Sequence, residues 1–295
     1  MKILVFGSLN IDHNYQMQHI VSEKETIFAH KYSLAAGGKG LNASIALSKS
    51  GVHVYLAGNI GNDAKILEDT LKEFKVDTTY LNKVNEPNGH AVIQIDENGE
   101  NAIFIYGGSN QSIQRDYIDE VLNHFEKDDL LIMQNEINDE AYIMHKAKEK
   151  GLQILLNPSP FDEKILTYPL DLVDYIFINE VEGEGFTGEK EPLKILEALK
   201  KQYPHAKIIL TLGSRGAYYQ SHTDRIFQSA FKVKAVDTVG AGDTFMGYFC
   251  SGLSQNMSIE NCLKLASKAA SITCCRQGAA ASIPTIEEIE QKYQD

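Results

Sequence analysis

Short apolar runs separated by amphipathic stretches repeat along the chain, and this alternation sets the first expectation. Lys2 to Phe6, Val52 to Leu56, Leu130 to Met133, Gln153 to Leu156, Tyr175 to Ile178 and Lys207 to Leu212 are dominated by Val, Ile, Leu and aromatic residues. Runs this short and this continuously apolar predict strands buried on both faces. Between them, apolar residues recur at helical spacing over Leu41 to Ser50, Ala64 to Phe74, Arg115 to Phe125, Asp139 to Lys150 and Pro192 to Tyr203, the pattern of helices with one buried face. Pro192 suits a first helical turn. Strand, helix and strand in succession predict an α/β fold, a three-layer αβα sandwich around a mostly parallel central sheet. Ligands bind such sheets beyond the carboxyl ends of the strands, so chemistry is sought in the loops that follow them.

Two stretches break the alternation. His90 to Ile95 and Ala102 to Tyr106 flank Asn98-Gly99, a strong hairpin signal. With the extended segments Asn10 to Met17 and Thr26 to Tyr32 they predict a small antiparallel β-sheet lid, its strands drawn from about 10–17, 26–32 and 90–106, within one domain spanning 1–295. A hairpin over Ala217 to Gln228 is expected at the edge of the main sheet. Phe231 to Val236 reads as a further strand before a nearly continuous apolar helix that runs to about Leu253. A helix apolar all round belongs in the centre of the fold.

Composition narrows the chemistry. The 295 residues carry 28 Lys and Arg against 40 Asp and Glu, a formal charge of −12, which repels phosphate backbones and anionic lipid. Neither nucleic acid nor membrane is an expected partner. No apolar run approaches the ~18 residues of a spanning helix, and Ile3 to Phe6 is too short for a signal core, so a cytoplasmic location is expected. Cys250, Cys262, Cys274 and Cys275 lack metal or redox spacing and read as small buried hydrophobes. The nine histidines form no ligand-like pair, and no protein-only metal cage is indicated. An anionic ligand would therefore need donors placed locally, on Gly-rich loops and helix N-termini.

Three segments have that character. Ala35 to Asn42, Ala-Ala-Gly-Gly-Lys-Gly-Leu-Asn, opens a helix, and Gly37, Gly38 and Gly40 would let amides converge on a ligand beside Lys39. It is not a Walker A loop, because Gly40 follows Lys39; a plain tight turn is the alternative. Thr211 to Gly216 follows a buried strand and fits a phosphate contact or an αL turn equally. The most specific is Asp237 to Gly247, Asp-Thr-Val-Gly-Ala-Gly-Asp-Thr-Phe-Met-Gly, at the start of the central helix. Gly240, Ala241 and Gly242 would leave N–H donors unpaired, an anion hole aided by the helix dipole. Asp243 in that turn is either an N-cap or a base set among donors suited to phosphoryl transfer.

At this point the residues resemble the ribokinase-like carbohydrate kinases, the PfkB family, and within it the ribokinase branch. Gly37 to Asn42 is similar to the family's first signature and Asp237 to Phe245 to its second. Shorter matches fall in order at Gly7 to Asp12, Gln134 to Ile137, Asn157 to Pro160, Asn179 to Glu182 and Thr211 to Gly216. The resemblance covers essentially the whole chain. It implies an ATP-dependent kinase acting on a sugar's primary hydroxyl, D-ribose to D-ribose 5-phosphate, with other sugars or nucleosides such as fructose, adenosine or pseudouridine as alternatives, and a silent sugar-binding regulator as a reading from another class.

By the same resemblance, Asp243 would be the general base and the amides of Ala241 and Gly242, with Gly240, the anion hole. Asn10, Asp12, Gly38, Lys39, Asn42 and Glu136 would bind the sugar. Asn179, Thr211, Gly213, Gly216 and Gly242 would contact ATP, and Glu182 would hold Mg²⁺ through water. Asp237 and Ser282 would hold a monovalent cation, usually K⁺, with a backbone carbonyl near Ile272. A homodimer through the lid sheet is a further implication. Two departures stand out: Asn88-Gly89 where Thr-Gly is common, and Ser267-Lys268-Ala269 where Ala-Asn-Ala is often seen on the adenine side.

Overall fold

The computed structural model describes residues 1–294. The chain opens with β1 (Ile3–Phe6), β2 (Asn10–Gln16) and β3 (Lys31–Gly37), enters α1 (Lys39–Lys49), and continues through β4 (Val54–Ile60), α2 (Lys65–Glu73) and β5 (Asp77–Lys83). The hairpin β6 (Gly89–Ile95) and β7 (Asn101–Tyr106) leads to α3 (Arg115–Leu122), β8 (Leu130–Met133), α4 (Glu140–Glu149), β9 (Gln153–Leu156) and β10 (Tyr175–Asn179). Then come α5 (Glu180–Thr187), α6 (Pro192–Gln202), β11 (Lys207–Thr211), β12 (Gly216–Gln220) and β13 (Arg225–Ser229). Three helices close the described chain: α7 (Ala241–Ser254), α8 (Ile259–Thr273) and α9 (Ile286–Lys292).

Nine strands form the central sheet in the order β13-β12-β11-β10-β9-β8-β1-β4-β5. The pairs from β11 through β10, β9, β8, β1 and β4 to β5 are parallel, and β12 and β13 add an antiparallel hairpin at the edge. Helices cover both faces. Ile3 and Val5 of β1 enter a core shared with Leu41 of α1, Phe249 of α7 and Leu263 of α8. Leu4 and Phe6 enter the opposite core with Ile118 of α3, Ile143 of α4 and Leu199 of α6. Successive side chains of a strand point to opposite faces, so a strand covered on both sides has no polar positions to alternate with. That is why the short apolar runs mark these strands.

The lid is a separate four-stranded sheet, order β3-β2-β6-β7. It departs from expectation in two ways. The strand expected over 26–32 lies instead at Lys31–Gly37, because β3 is held by its ladder to β2 from Asn10↔Gly37 to Gln16↔Lys31, and its first five side chains are exposed and give no core signal. The sheet is also mixed, since β2 and β6 pair in parallel while the other two pairs are antiparallel. Two corrections concern the main layers. Residues 231–236 form no strand; Val236 N–H and Asp237 N–H instead bond the carbonyl of Cys274, at 2.7 and 3.3 Å, beyond the end of α8. And β5, Asp-Thr-Thr-Tyr-Leu-Asn-Lys, is an unforeseen edge strand whose exposed outer positions need no apolar run. Among the described residues no helix is long and apolar enough to cross a membrane.

Candidate active site

The centre of the site is the meeting of two helix starts. A Cβ on Gly247 of α7 would lie 2.5 Å from the Cβ of Ala46 on α1, so this glycine lets the two helices approach closely. One turn earlier on each helix, at the i−4 positions, stand Asp243 and Asn42, which therefore face each other. The Asn42 Nδ2 donates to Asp243 Oδ2 at 2.9 Å. Asn42 Oδ1 is buried without a hydrogen-bond partner. The cap of α7 is Gly240, held at φ 76° with no side-chain cap, which puts Asp243 at the third helical position rather than in the N-cap role. Ala241 N–H is drawn to the Thr238 carbonyl at 3.2 Å, while the amides of Gly242 and Asp243 have no acceptor among the described residues. A Cβ on Gly242 would meet nothing within 4 Å.

Lys39, the first residue of α1, brings the charge. It lines a cavity of about 120 Å³ together with Asp243, Glu182, Gly240 and Gly242. Burial works against its ammonium, yet Asp243, Glu136 and Glu182 together hold its pKa above the usual lysine value. The carboxyls pay the complementary penalty: burial raises Asp243 and Glu136, and Lys39 offsets part of the rise in each. Glu136 Oε2 accepts the backbone N–H of Lys39 at 3.2 Å and the hydroxyl of Ser8. Asp12 is pushed up to about 7, first by burial and then by the like charge of Glu136.

The first glycine segment is tightly packed into the protein itself. A Cβ on Gly37 would fall 2.1 Å from Asp12 Oδ2, and one on Gly40 would fall 2.6 Å from the carbonyl carbon of Gly7. Its amides are largely spoken for: Lys39 N–H goes to Glu136, Leu41 N–H to the Ser8 carbonyl at 3.1 Å and Asn42 N–H to the Gly38 carbonyl at 2.9 Å. The segment thus packs Asp12, Gly38, Lys39, Asn42 and Glu136 around one end of β1, and Asn10 joins them from the start of β2.

On the other side of the cavity, Asn179 and Glu182 form a capping box on α5. Asn179 Oδ1 accepts Glu182 N–H and Glu182 Oε2 accepts Asn179 N–H, both at 2.9 Å. Glu182 is 5% exposed, so it is no member of a solvated acidic face, and burial raises its pKa above the usual carboxylate range. Thr211, at the end of β11, lines the cavity, whereas Gly213 and Gly216 lie outside its wall. A Cβ on Gly216 would meet the Gln228 carbonyl at 2.1 Å, a packing reason for that glycine.

No group of three or more His, Cys, Asp or Glu able to hold a metal occurs among the described residues. Glu182, a buried oxygen donor on this cavity, suits a Mg²⁺ that keeps most of its waters and leans on ligand phosphates. Asp237 lies in the loop that leads into α7, and Ser282 in the turn Ala280–Ser282 that follows α8. Asp237 accepts the N–H groups of Val239 at 3.0 Å and Gly278 at 2.9 Å, and Ser282 Oγ donates to the Ala279 carbonyl at 2.6 Å. Ser282 O also accepts Arg276 Nη1 at 3.4 Å. This oxygen-rich fold of two loops suits a weakly hydrated monovalent cation.

Several residues of the site went unassigned in the sequence. Asn157, Ser159 and Phe177 line the cavity, and Ser8 holds Glu136. Asn157, Ser159 and Ser8 lie inside the matched motifs, which was their only signal; Phe177 looks like any strand residue. Of the asparagines buried behind Asn10, Asn88 stands out in the sequence only as a departure from the family pattern and Asn110 has no sequence signal.

Known proteins resemble this chain along nearly its whole length. The family described as pfkB family carbohydrate kinase matches residues 1–286. The chain is 33% identical to the ribokinase of Lactococcus lactis over 301 residues, covering 100% of this chain and 97% of that one. Among solved structures it is similar to the ribokinase of Thermotoga maritima, with a TM-score of 0.89, 30% identity and coverage of 100% and 99%. It is also similar to the Arabidopsis thaliana ribokinase complexed with ribose and ATP, with a TM-score of 0.86, 29% identity and coverage of 98% and 97%.

Proposed function

The chain belongs to the pfkB family of carbohydrate kinases, and from that premise we propose that it transfers the γ-phosphoryl group of ATP to the primary hydroxyl of D-ribose, giving D-ribose 5-phosphate and ADP. The observation that carries the reading is the junction of α1 and α7, where Asp243, braced by Asn42, shares one cavity with Lys39 and an unpaired helix start.

In this reading Asp243 takes the proton of the primary hydroxyl as its oxygen attacks the phosphorus. A carboxylate whose proton affinity burial raises and Lys39 tempers is suited to accept that proton. The amide of Gly242 and the ammonium of Lys39 receive the charge that builds on the transferred oxygens. Asp12, Glu136, Asn10 and Asn42, with Gly38 beside them, grip the remaining hydroxyls. Asn42 Oδ1, buried and without a protein partner, is an acceptor suited to one of them, since a sugar lacking that hydroxyl leaves it unpaired. Asn179 and Thr211 border the phosphate path, with Gly213 and Gly216 beyond it. When bound, Mg²⁺ supplies charge neutralisation to the phosphates, and Glu182 would orient its waters. Asp237 and Ser282 would hold K⁺; equal rates in K⁺ and Na⁺ at fixed ionic strength would remove that assignment.

The lid supports a homodimer. Ile103, Phe104, Ile105 and Tyr106 of β7 are 46–58% exposed, an apolar edge that a second copy would cover; a monomer in sedimentation at micromolar concentration would refute it. The reading as a whole is tested by ADP release across pentoses, hexoses and nucleosides. Ribose is expected to give the highest kcat/KM. A preference for another sugar would move the substrate, and the absence of release with every one of them would overturn the kinase reading.

A further inference from the structure

At the root of the lid three asparagines are buried together: Asn10 is 2%, Asn88 0% and Asn110 1% exposed. Asn110 stands in the short turn Gly108–Gln111 that follows β7, and its side-chain amide grips the backbone of Leu9 at two points. Leu9 N–H donates to Asn110 Oδ1 at 3.0 Å, and Asn110 Nδ2 donates to the Leu9 carbonyl at 3.3 Å. A backbone N–H can only donate and a carbonyl can only accept, so Leu9 settles which end of the Asn110 amide is which. Its remaining Nδ2 proton goes to Asn10 Oδ1 at 2.8 Å.

That bond settles Asn10 in turn. With Oδ1 committed to Asn110, Asn10 turns its Nδ2 away from the pair, and Nδ2 has no acceptor among the described residues. Asn10 shares its face of β2 with Asp12, since side chains two apart on a strand point the same way. The pair is closely fitted: a Cβ on Gly89 would fall 2.1 Å from Asn110 Nδ2 and 2.7 Å from Asn10 Oδ1. Asn88 holds the same peptide from the other side, its Nδ2 donating to the Leu9 carbonyl at 2.9 Å and its Oδ1 accepting Gly61 N–H at 2.9 Å.

We infer that Asn110 is a positioning residue for the sugar: it fixes Asn10 as a hydrogen-bond donor and so selects a substrate with an acceptor oxygen at that point. This rests on the reading of Asn10 as a sugar contact. It also ties the donor to the lid, because Asn110 follows the last lid strand while Asn10 begins the first. A lid out of place would loosen the amide that orients Asn10.

The variant Asn110→Asp keeps the shape and replaces the donor by an acceptor. Asn10 can then satisfy it only by turning its own Nδ2 toward residue 110, which presents Oδ1 to the sugar. The expected result is a rise in sugar KM of about tenfold, the scale of one buried hydrogen bond, with kcat and the KM for ATP within about twofold. In an Asn10→Ala background the same change should add nothing. An unchanged sugar KM, an equal rise for ATP, or full additivity with Asn10→Ala would overturn the proposal. Exchange of side-chain amide protons, followed by NMR in the wild-type protein without sugar, provides an arm that depends neither on turnover nor on a variant folding. The Asn110 NH₂ should exchange slowly and the Asn10 NH₂ fast, and the reverse order would overturn the proposal. Failure of every sugar to turn over would sink the kinase reading alone, leaving the exchange result to decide the pair.

Discussion

The floor of the site and its lid solve the same problem, holding polar groups out of water, by opposite means. On the floor, Asp243 and Asn42 sit on two long helices pressed together at Gly247 and Ala46, above a sheet buried on both faces. Their positions follow from tight packing, which has few alternatives. In the lid, β3 and β7 are largely exposed along their length, and only the root is fixed, by side-chain to backbone hydrogen bonds around Leu9. A rigid floor suits the reacting atoms, which tolerate little misplacement. A sheet fixed at one end suits a group that must admit a sugar and then close on it. Substitutions on the floor should therefore act on kcat and those in the lid on sugar KM.

The largest effect belongs to the floor. Asp243→Asn keeps the bulk of the side chain and removes the base, and kcat should fall by ~10²-fold or more with sugar and ATP affinities within a few-fold. A kcat near the wild-type value, measured by coupled ADP release, would take the chemistry away from α7. Next comes the lid. Asp12→Ala removes a carboxyl from β2 that can grip hydroxyls, and a buried hydrogen bond to a charged group is worth about 1.5 to 3 kcal/mol, or roughly ten- to more than a hundred-fold in sugar KM. The KM for ATP should stay put; an equal loss for both substrates would erase the division of labour between the two regions.

A smaller effect tests the packing itself. In Gly247→Ala the new methyl meets Ala46 Cβ at 2.5 Å, so α1 and α7 must part. Overpacking of this kind costs about 1 to 3 kcal/mol, readable as a lower Tm. The parting also lengthens the bond from Asn42 to Asp243, so kcat should fall roughly tenfold while sugar KM moves less. Phe104→Ser, on the exposed edge of the lid, should leave the stability of the protomer within about 0.5 kcal/mol. If the two variants behaved alike, the contrast between a packed floor and an open lid would fail.

The same contrast explains what could be read from the chain. The floor announces itself, because strands buried on both faces are continuous apolar runs and the start of α7 needs glycines and an acid in a fixed order. The lid is nearly silent. Lys31 to Gly37 alternates only over Lys-Tyr-Ser-Leu before Ala-Ala-Gly ends the pattern, and is a strand through its ladder to β2; β5, at an edge of the central sheet, is hidden by a similarly weak pattern. The site divides likewise. Asp243, Lys39 and Glu182 lie in spacings that mean something locally. Asn110 matters through a peptide one hundred and one residues earlier, and no local pattern can carry that. The glycines at 37 and 40 also have a reason the chain does not advertise: they make room for Asp12 and for the turn after β1.

The smallest effect separates the two regions by pH. Asp12 is pushed up to about 7 by burial and by Glu136, against an ordinary value near 3.8. The folded protein thus holds this proton more tightly than the unfolded chain does, and the group's contribution to stability is lost as pH rises from about 4 through 7. A sugar hydroxyl donated to the carboxylate offsets that loss, so sugar binding should strengthen over the same window. The expected outcome is a sugar kcat/KM that rises by at most about tenfold between pH 6 and pH 8, and a sugar-induced gain in Tm that is larger at pH 8 than at pH 6. Asp243 on the floor and Glu136 among the sugar contacts also carry raised values, and a limb that comes from the floor falls on kcat. Asp12→Asn distinguishes them: the dependence of sugar KM on pH should flatten while the kcat limb remains. If both limbs survive in that variant, a group other than Asp12 titrates and Asp12 does not gate the sugar.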